Sequence, residues 1–183
     1  MIRATRQTPE ITLADRFRAA RATRIDADGR RVHSVYALPV AGASLLNVRR
    51  RHITGERPQA LRLAAAVDLV ANGHRSRNLV LRAATLPSRA DIIVEADDAT
   101  IVYVWNTWLI EQTEHAWLGN AGMLVGTDLT GVNPVVRLQC SDGVGPANFD
   151  DLCIDIEVAP RSVALAERNT GAGRGVSRNA PAG

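Results

Sequence analysis

Three carboxylates crowd one short connection near the end of the sequence, in "QCSDGVGPANFDDLCIDIEV", residues 139–158. Asp142 opens it, and the pair Asp150 and Asp151 closes it. Like charges held this close are unfavourable unless water solvates them or a cation bridges them. A hard divalent cation such as calcium takes roughly six to eight oxygens from carboxylates, amide side chains and backbone carbonyls. The stretch offers all three kinds: the aspartates, the Asn148 amide, and the carbonyls around Gly145 and Pro146. Gly143 and Gly145 permit a backbone tight enough to bring the two ends together. The competing reading is a polar hairpin loop whose aspartates make Asx-turn bonds to their own backbone. Residue types and spacing leave both open.

A second group with chemical potential is "YVWNTW". It sets Tyr103 and Trp105 on one face of an extended strand, Asn106 on the other, and Trp108 where the strand ends. Tryptophan rings stack on sugars while amides such as Asn106 and Asn148 bond hydroxyls, which would make Trp105, Asn106, Trp108 and Asn148 a ligand-binding set. A strand tryptophan is more often part of the core, and that reading competes. "GNAGM" reads as a bulge or turn before an anion cradle. Glu111, Glu114 and His115 would form an acid/base group only if they lined a cleft. No serine elbow, P-loop or HExxH pattern occurs, so a non-catalytic protein is expected.

The elements that must position these residues read as β. "RVHSVYALPV", "ASLLNVRRRHI", "ALRLAAAVDLVA" up to the turn "NGH", "NLVLRAATL" and "PVVRLQC" are short alternating or β-branched runs punctuated by turn residues. "ADIIVEA" and "ATIVYVWNTWLI" flank Asp97-Asp98 as a hairpin would. The pattern predicts an all-β fold, an antiparallel β-sandwich of jelly-roll or galactose-binding-like type over residues 32–165, with a closed barrel as the alternative. Residues 1–31 are Arg-rich and predicted to be a flexible arm, with at most a marginal helix in "LADRFRAARA". Residues 166–183, "AERNTGAGRGVSRNAPAG", have almost nothing to bury and are predicted to be disordered.

Composition narrows the function classes. All 22 Lys/Arg positions are arginine, and they are dense in the first third, at Arg16, Arg18, Arg21, Arg24, Arg30, Arg31 and Arg49-Arg50-Arg51. Nucleic acid is not expected as a partner, because no recognised binding motif accompanies the charge. No apolar run reaches the ~18–20 residues a membrane-spanning helix needs. No apolar segment follows the basic N-terminus, so the expected location is cytoplasmic, or outside after export without a signal peptide. Alternation places Cys140 inward and Cys153 outward, which predicts two free thiols.

The acidic stretch resembles the C-terminal calcium loop of the bacterial galactophilic PA-IL-like lectins, which are small β-sandwich proteins. The resemblance is carried by Asp142, Gly143, Gly145, Pro146, Asp150 and Asp151, followed by the strand "LCIDIEV", and is confined to residues 139–158. This chain closes on Asp-Asp where that family has Asn-Asn, and its loop is one residue longer. The resemblance implies Ca2+ held by Asp142, the Pro146 carbonyl, Asp150 and Asp151, with sugar hydroxyls completing the shell. The expected function is therefore a non-catalytic calcium-binding β-sandwich module with a glycan ligand. The alternative is a structural or assembly protein whose sandwich forms a homo-oligomer and whose Arg-rich arm contacts a partner or polyanion.

Overall fold

A computed structural model describes residues 11–87 and 89–161. The predicted C-terminal tail lies outside the described residues. One short helix, α1 (Leu13–Ala20), precedes twelve strands. These are β1 (Arg24–Ala27), β2 (Arg30–His33), β3 (Tyr36–Ala41), β4 (Ser44–Ile53), β5 (Gln59–Ala71), β6 (His74–Arg82), β7 (Ala90–Glu95), β8 (Ala99–Ile110), β9 (Thr113–His115), β10 (Asn120–Asp128), β11 (Val135–Gly143) and β12 (Leu152–Pro160). The all-β antiparallel expectation holds. The strands join in one continuous curled sheet, a half-barrel, ordered β1-β2-β10-β11-β12-β4-β7-β5-β8-β3, with β6 on β5 and β9 on β8.

The curl follows from the strand patterns. Inward residues of nearly every long strand are apolar: Leu46 and Val48, Leu61 and Leu63, Ile92 and Val94, Val102 and Val104, Leu138 and Cys140, Ile154 and Ile156, all buried in one core. A single flat sheet would leave that face in water; curling buries it against itself, so β8 meets β10 and β11 across the interior. Strand β5 makes the corner. Its first half pairs with β8 and its last residues, Asp68–Ala71, with β7, across a register break between Ala64 and Leu69. The expected β7–β8 hairpin about Asp97-Asp98 therefore does not form, because β5 lies between those two strands. The "NGH" turn does form, with Asn72 and Gly73 both at positive φ between β5 and β6.

Residues 11–31 are not a flexible arm. A helix as short as α1 is unstable alone in water, and here it is docked. Thr12 caps it, accepting from the Asp15 N–H. The Leu13 N–H donates to Asn120 Oδ1 at 3.0 Å and the Ala14 N–H to the Gly119 carbonyl at 2.9 Å. Leu13 and Phe17 join Ala27, Val32 and Phe149 in a second small core outside the sheet. Burying Leu13 and Phe17 contributes about 2 kcal/mol each. The "DG" turn at Asp28-Gly29 closes the β1–β2 hairpin, and β2 extends the sheet alongside β10. The thin apolar stripe of "LADRFRAARA" sufficed because a partner surface lay elsewhere in the chain.

Candidate functional site

The acidic connection runs from β11 to β12, which pair as the expected hairpin. Its two inner carboxylates are buried and fully occupied by protein donors. Asp142, 2% exposed, accepts from the Val144 N–H on Oδ1 at 3.0 Å, and on Oδ2 from Arg57 at 3.1 Å and the Gln59 amide at 3.3 Å. Asp151 accepts from the Asp142 N–H at 2.9 Å and from the Asn148 amide at 2.8 Å. Burial pushes the Asp151 carboxyl above its usual range, and the charge of Asp142 adds to the rise. The repulsion is thus met by a guanidinium and backbone N–H groups, with Phe149 anchoring the loop in the outer core. Arg57, from the β4–β5 connection, was not singled out in the sequence; a lone arginine after "TGE" carries no signal that it reaches an aspartate so far along the chain.

Asp150 turns the other way. Its N–H donates to Asn148 Oδ1 at 3.2 Å and its carbonyl accepts from the Thr54 hydroxyl at 2.6 Å. These bonds fix the backbone and leave its exposed carboxylate 3.9 Å from His52 Nε2. Of the residues expected to bind calcium, Asp142 and Asp151 therefore face each other while Asp150 faces His52. The three do not form one oxygen cage.

Asp150 instead belongs to a different cluster. Ligating atoms of His52, Asp150 and Cys153 lie within 4.8 Å of one another. A bulge creates it: Cys153 pairs with His52 but Ile154 pairs with Arg50, so Arg51 is the extra residue that turns His52 onto the Cys153 face. Cys153 was expected to point to solvent and is 3% exposed, because the acidic loop and its Phe149 cover the outer face of β12 there. Cys140 lies inward beside Leu152, so the two thiols sit on opposite faces and are both free. Burial pushes the Cys153 thiol up, helped by the charges of Asp150 and Asp155. A buried, proton-retaining thiol is a poor nucleophile. In a tetrahedral shell with metal–nitrogen and metal–sulfur bonds of about 2.0 and 2.3 Å, ligand atoms lie roughly 3.3–3.8 Å apart. Exposed His52 and Asp150 can close that gap by side-chain rotation. His52 was legible only as a histidine ending an arginine run; the bulge that aims it was not.

The aromatic group divides. Trp108 is 2% exposed and Asn106 is 3% exposed, its amide spent on the Ser141 carbonyl at 2.8 Å across the interior. Neither can meet a sugar, because both side chains point into the curl. Trp105 is half-buried and packs against Trp117 with ring centroids 5.8 Å apart. Asn148 is committed to Asp151. "GNAGM" is a close-packing joint: a Cβ on Gly119 would lie 2.1 Å from the Gly143 carbonyl oxygen, and one on Gly143 would lie 2.3 Å from the Leu118 carbonyl oxygen.

Glu111, Glu114 and His115 do not form an acid/base group. Arg62 grips Glu114 side-on, its Nε and Nη2 donating to the two carboxylate oxygens and holding the carboxyl at about 2, and His115 stacks on Trp108. The folded value lies below the ordinary 4.5, so this pair stabilises the fold above that pH and ceases to do so as pH falls toward about 2. With screening of a pair this exposed, Glu114→Gln should cost about 1 kcal/mol at about pH 7 and almost nothing near pH 2. Urea unfolding of both proteins at the two pH values checks this; an equal loss at both would show that the charge is irrelevant.

No protein-family model matches the chain, and no curated protein matches it at a significant level.

Proposed function

We propose that this protein is a non-catalytic binding module that holds a divalent cation of the zinc class at His52, Asp150 and Cys153, beside the acidic loop. The observation supporting this is the approach of one nitrogen, one oxygen and one sulfur ligand within 4.8 Å, at the bulge between β4 and β12. The ligand set argues for zinc over calcium: calcium takes hard oxygens only, whereas imidazole with thiolate suits a borderline-soft ion. Three protein ligands leave a fourth position open for water or an oxygen of a bound molecule. The opposed walls of the half-barrel act in this reading as the two layers of a β-sandwich, a rigid base for the loop.

Cobalt(II) substitution tests the proposal. Cobalt should bind with the intense near-ultraviolet absorption of a cobalt–thiolate bond, and zinc should displace it. Cys153→Ser should abolish the band, and His52→Ala should weaken binding about tenfold or more. Calcium should give no heat in titration calorimetry. If neither variant changes cobalt binding, or if calcium alone binds, this assignment is lost.

The assembly alternative keeps one supporting feature. Among the described residues strand β1 ends the sheet with no strand on its outer edge, where a second copy could add one. The opposite end, β3, carries Pro39, which blunts that edge against strand addition.

A further inference from the structure

Helix α1 and the β1–β2 hairpin carry an excess of positive charge that the rest of the fold does not neutralise. Residues 11–33 hold six arginines against three aspartates. Asp28, Asp15 and Asp26 pair with Arg16, Arg18 and Arg31. Among the described residues Arg21, Arg24 and Arg30 form no ion pair; Arg21 and Arg24 are exposed, and Arg30 lies over the Phe149 ring, 4.8 Å from its centroid. The field is felt at His33, whose pKa is lowered by burial and then by Arg24 and Arg31.

An aromatic platform borders this surface. Trp117 is 51% exposed although it is held firmly: its indole N–H donates to the Ser34 carbonyl at 3.1 Å, and it packs against Trp105. Its backbone sits at φ 57, a left-handed conformation that a bulky side chain rarely adopts. Strained, exposed aromatics persist where a site needs them. Trp117, Phe17, Arg18, Arg21 and Ser34 line a groove of ≈ 380 Å³ on one side of α1, and Arg16, Arg24 and Arg31 line another of ≈ 570 Å³ on the other side. Two grooves therefore flank one helix, one bearing an indole and both bearing guanidinium groups.

We propose that this surface binds single-stranded nucleic acid, with Trp117 stacking on a base and Arg21, Arg24 and Arg30 contacting successive phosphates. A basic track with an aromatic face is what single strands need: the charge follows the backbone, and the ring accepts any base. A duplex keeps its bases stacked internally and has none to offer Trp117. The site shares no residue with the cation cluster, and Arg30 comes nearest to it, over Phe149.

Fluorescence anisotropy of a dye-labelled oligothymidylate about ten nucleotides long, titrated with the full chain, tests this. Binding should weaken with salt at a log–log slope of about −2, as three phosphate contacts on a single strand require. Trp117→Ala should weaken binding about tenfold at constant salt, with Trp117→Phe recovering most of it. The double substitution Arg21→Gln with Arg24→Gln, at exposed positions that leave the fold intact, should flatten the slope to about −0.7. Duplex of the same length should bind more weakly. Absence of binding at low salt, duplex binding equal to single strand, or Trp117→Ala binding like the parent would each overturn the proposal.

Discussion

Replacing Arg57 with alanine should destabilise the protein by about 3 kcal/mol, which for a chain of this size lowers the melting temperature by roughly 6–12 °C. The reason is the asymmetry of buried ion pairs. Forming one gains little, but removing one partner strands the other charge out of water. Asp142 has only 3% of its side chain exposed, and among the described residues Arg57 supplies the one formal positive charge in contact with it. Gln59 and the Val144 N–H would remain as donors, which keeps the loss below the extreme for a fully orphaned carboxylate. The cost should shrink when Asp142→Asn is added, since a neutral amide needs no counter-charge. Urea unfolding of the parent, both single variants and the double variant measures the coupling. A loss under about 1 kcal/mol, or recovery of Arg57→Ala by millimolar calcium, would mean that a cation balances this carboxylate after all.

Gly143→Ala should be more severe still, costing about 4 kcal/mol or preventing folding. The residue sits at φ +84, and its Cβ would press to 2.3 Å from the Leu118 carbonyl oxygen, a backbone atom that cannot swing aside. Gly119→Ala meets the same obstacle from the other side, at 2.1 Å from the Gly143 oxygen. Gly145 is the internal control. It lies two residues further along the same loop at φ +75 with nothing within 4 Å of a built Cβ, so Gly145→Ala should cost only the conformational penalty of about 1 kcal/mol. Thermal melts of the three variants order them; if Gly143→Ala and Gly145→Ala melt together, the close backbone approach is not what constrains this joint.

The sequence shows its strands far better than their arrangement. Alternation marks the β segments, and the "NGH" and "DG" turns mark two hairpins, because these signals are local. It is silent about β5 changing neighbours midway, which depends on a register break inside "LAAAVDL" that composition does not announce. That silence produced the false β7–β8 hairpin. The N-terminal helix is only faintly marked for a related reason: its stability comes from Asn120 and Phe149, about a hundred residues or more away. At the acidic loop the identity of the crowded residues was legible, as was their hairpin setting. Which of them would be buried was not, because this depended on Arg57 reaching Asp142 from the β4–β5 connection and on Phe149 docking into the outer core. Cys153 shows the limit of alternation itself. The period holds, but the face that alternation makes outer is covered by the loop that precedes it.

The β4–β12 ladder described above carries a kinetic consequence. These neighbours occupy the middle of the sheet, yet roughly a hundred residues of chain separate the paired positions. Closing so long a loop must precede any gain from the contacts it permits, so the topology has high contact order and slow folding, on the scale of milliseconds to seconds. A ribosome must release the chain through β12 before this seam can zip. Until then β4, with its run of five buried residues Ser44–Val48, has only β7 beside it and leaves its other edge exposed to other nascent chains.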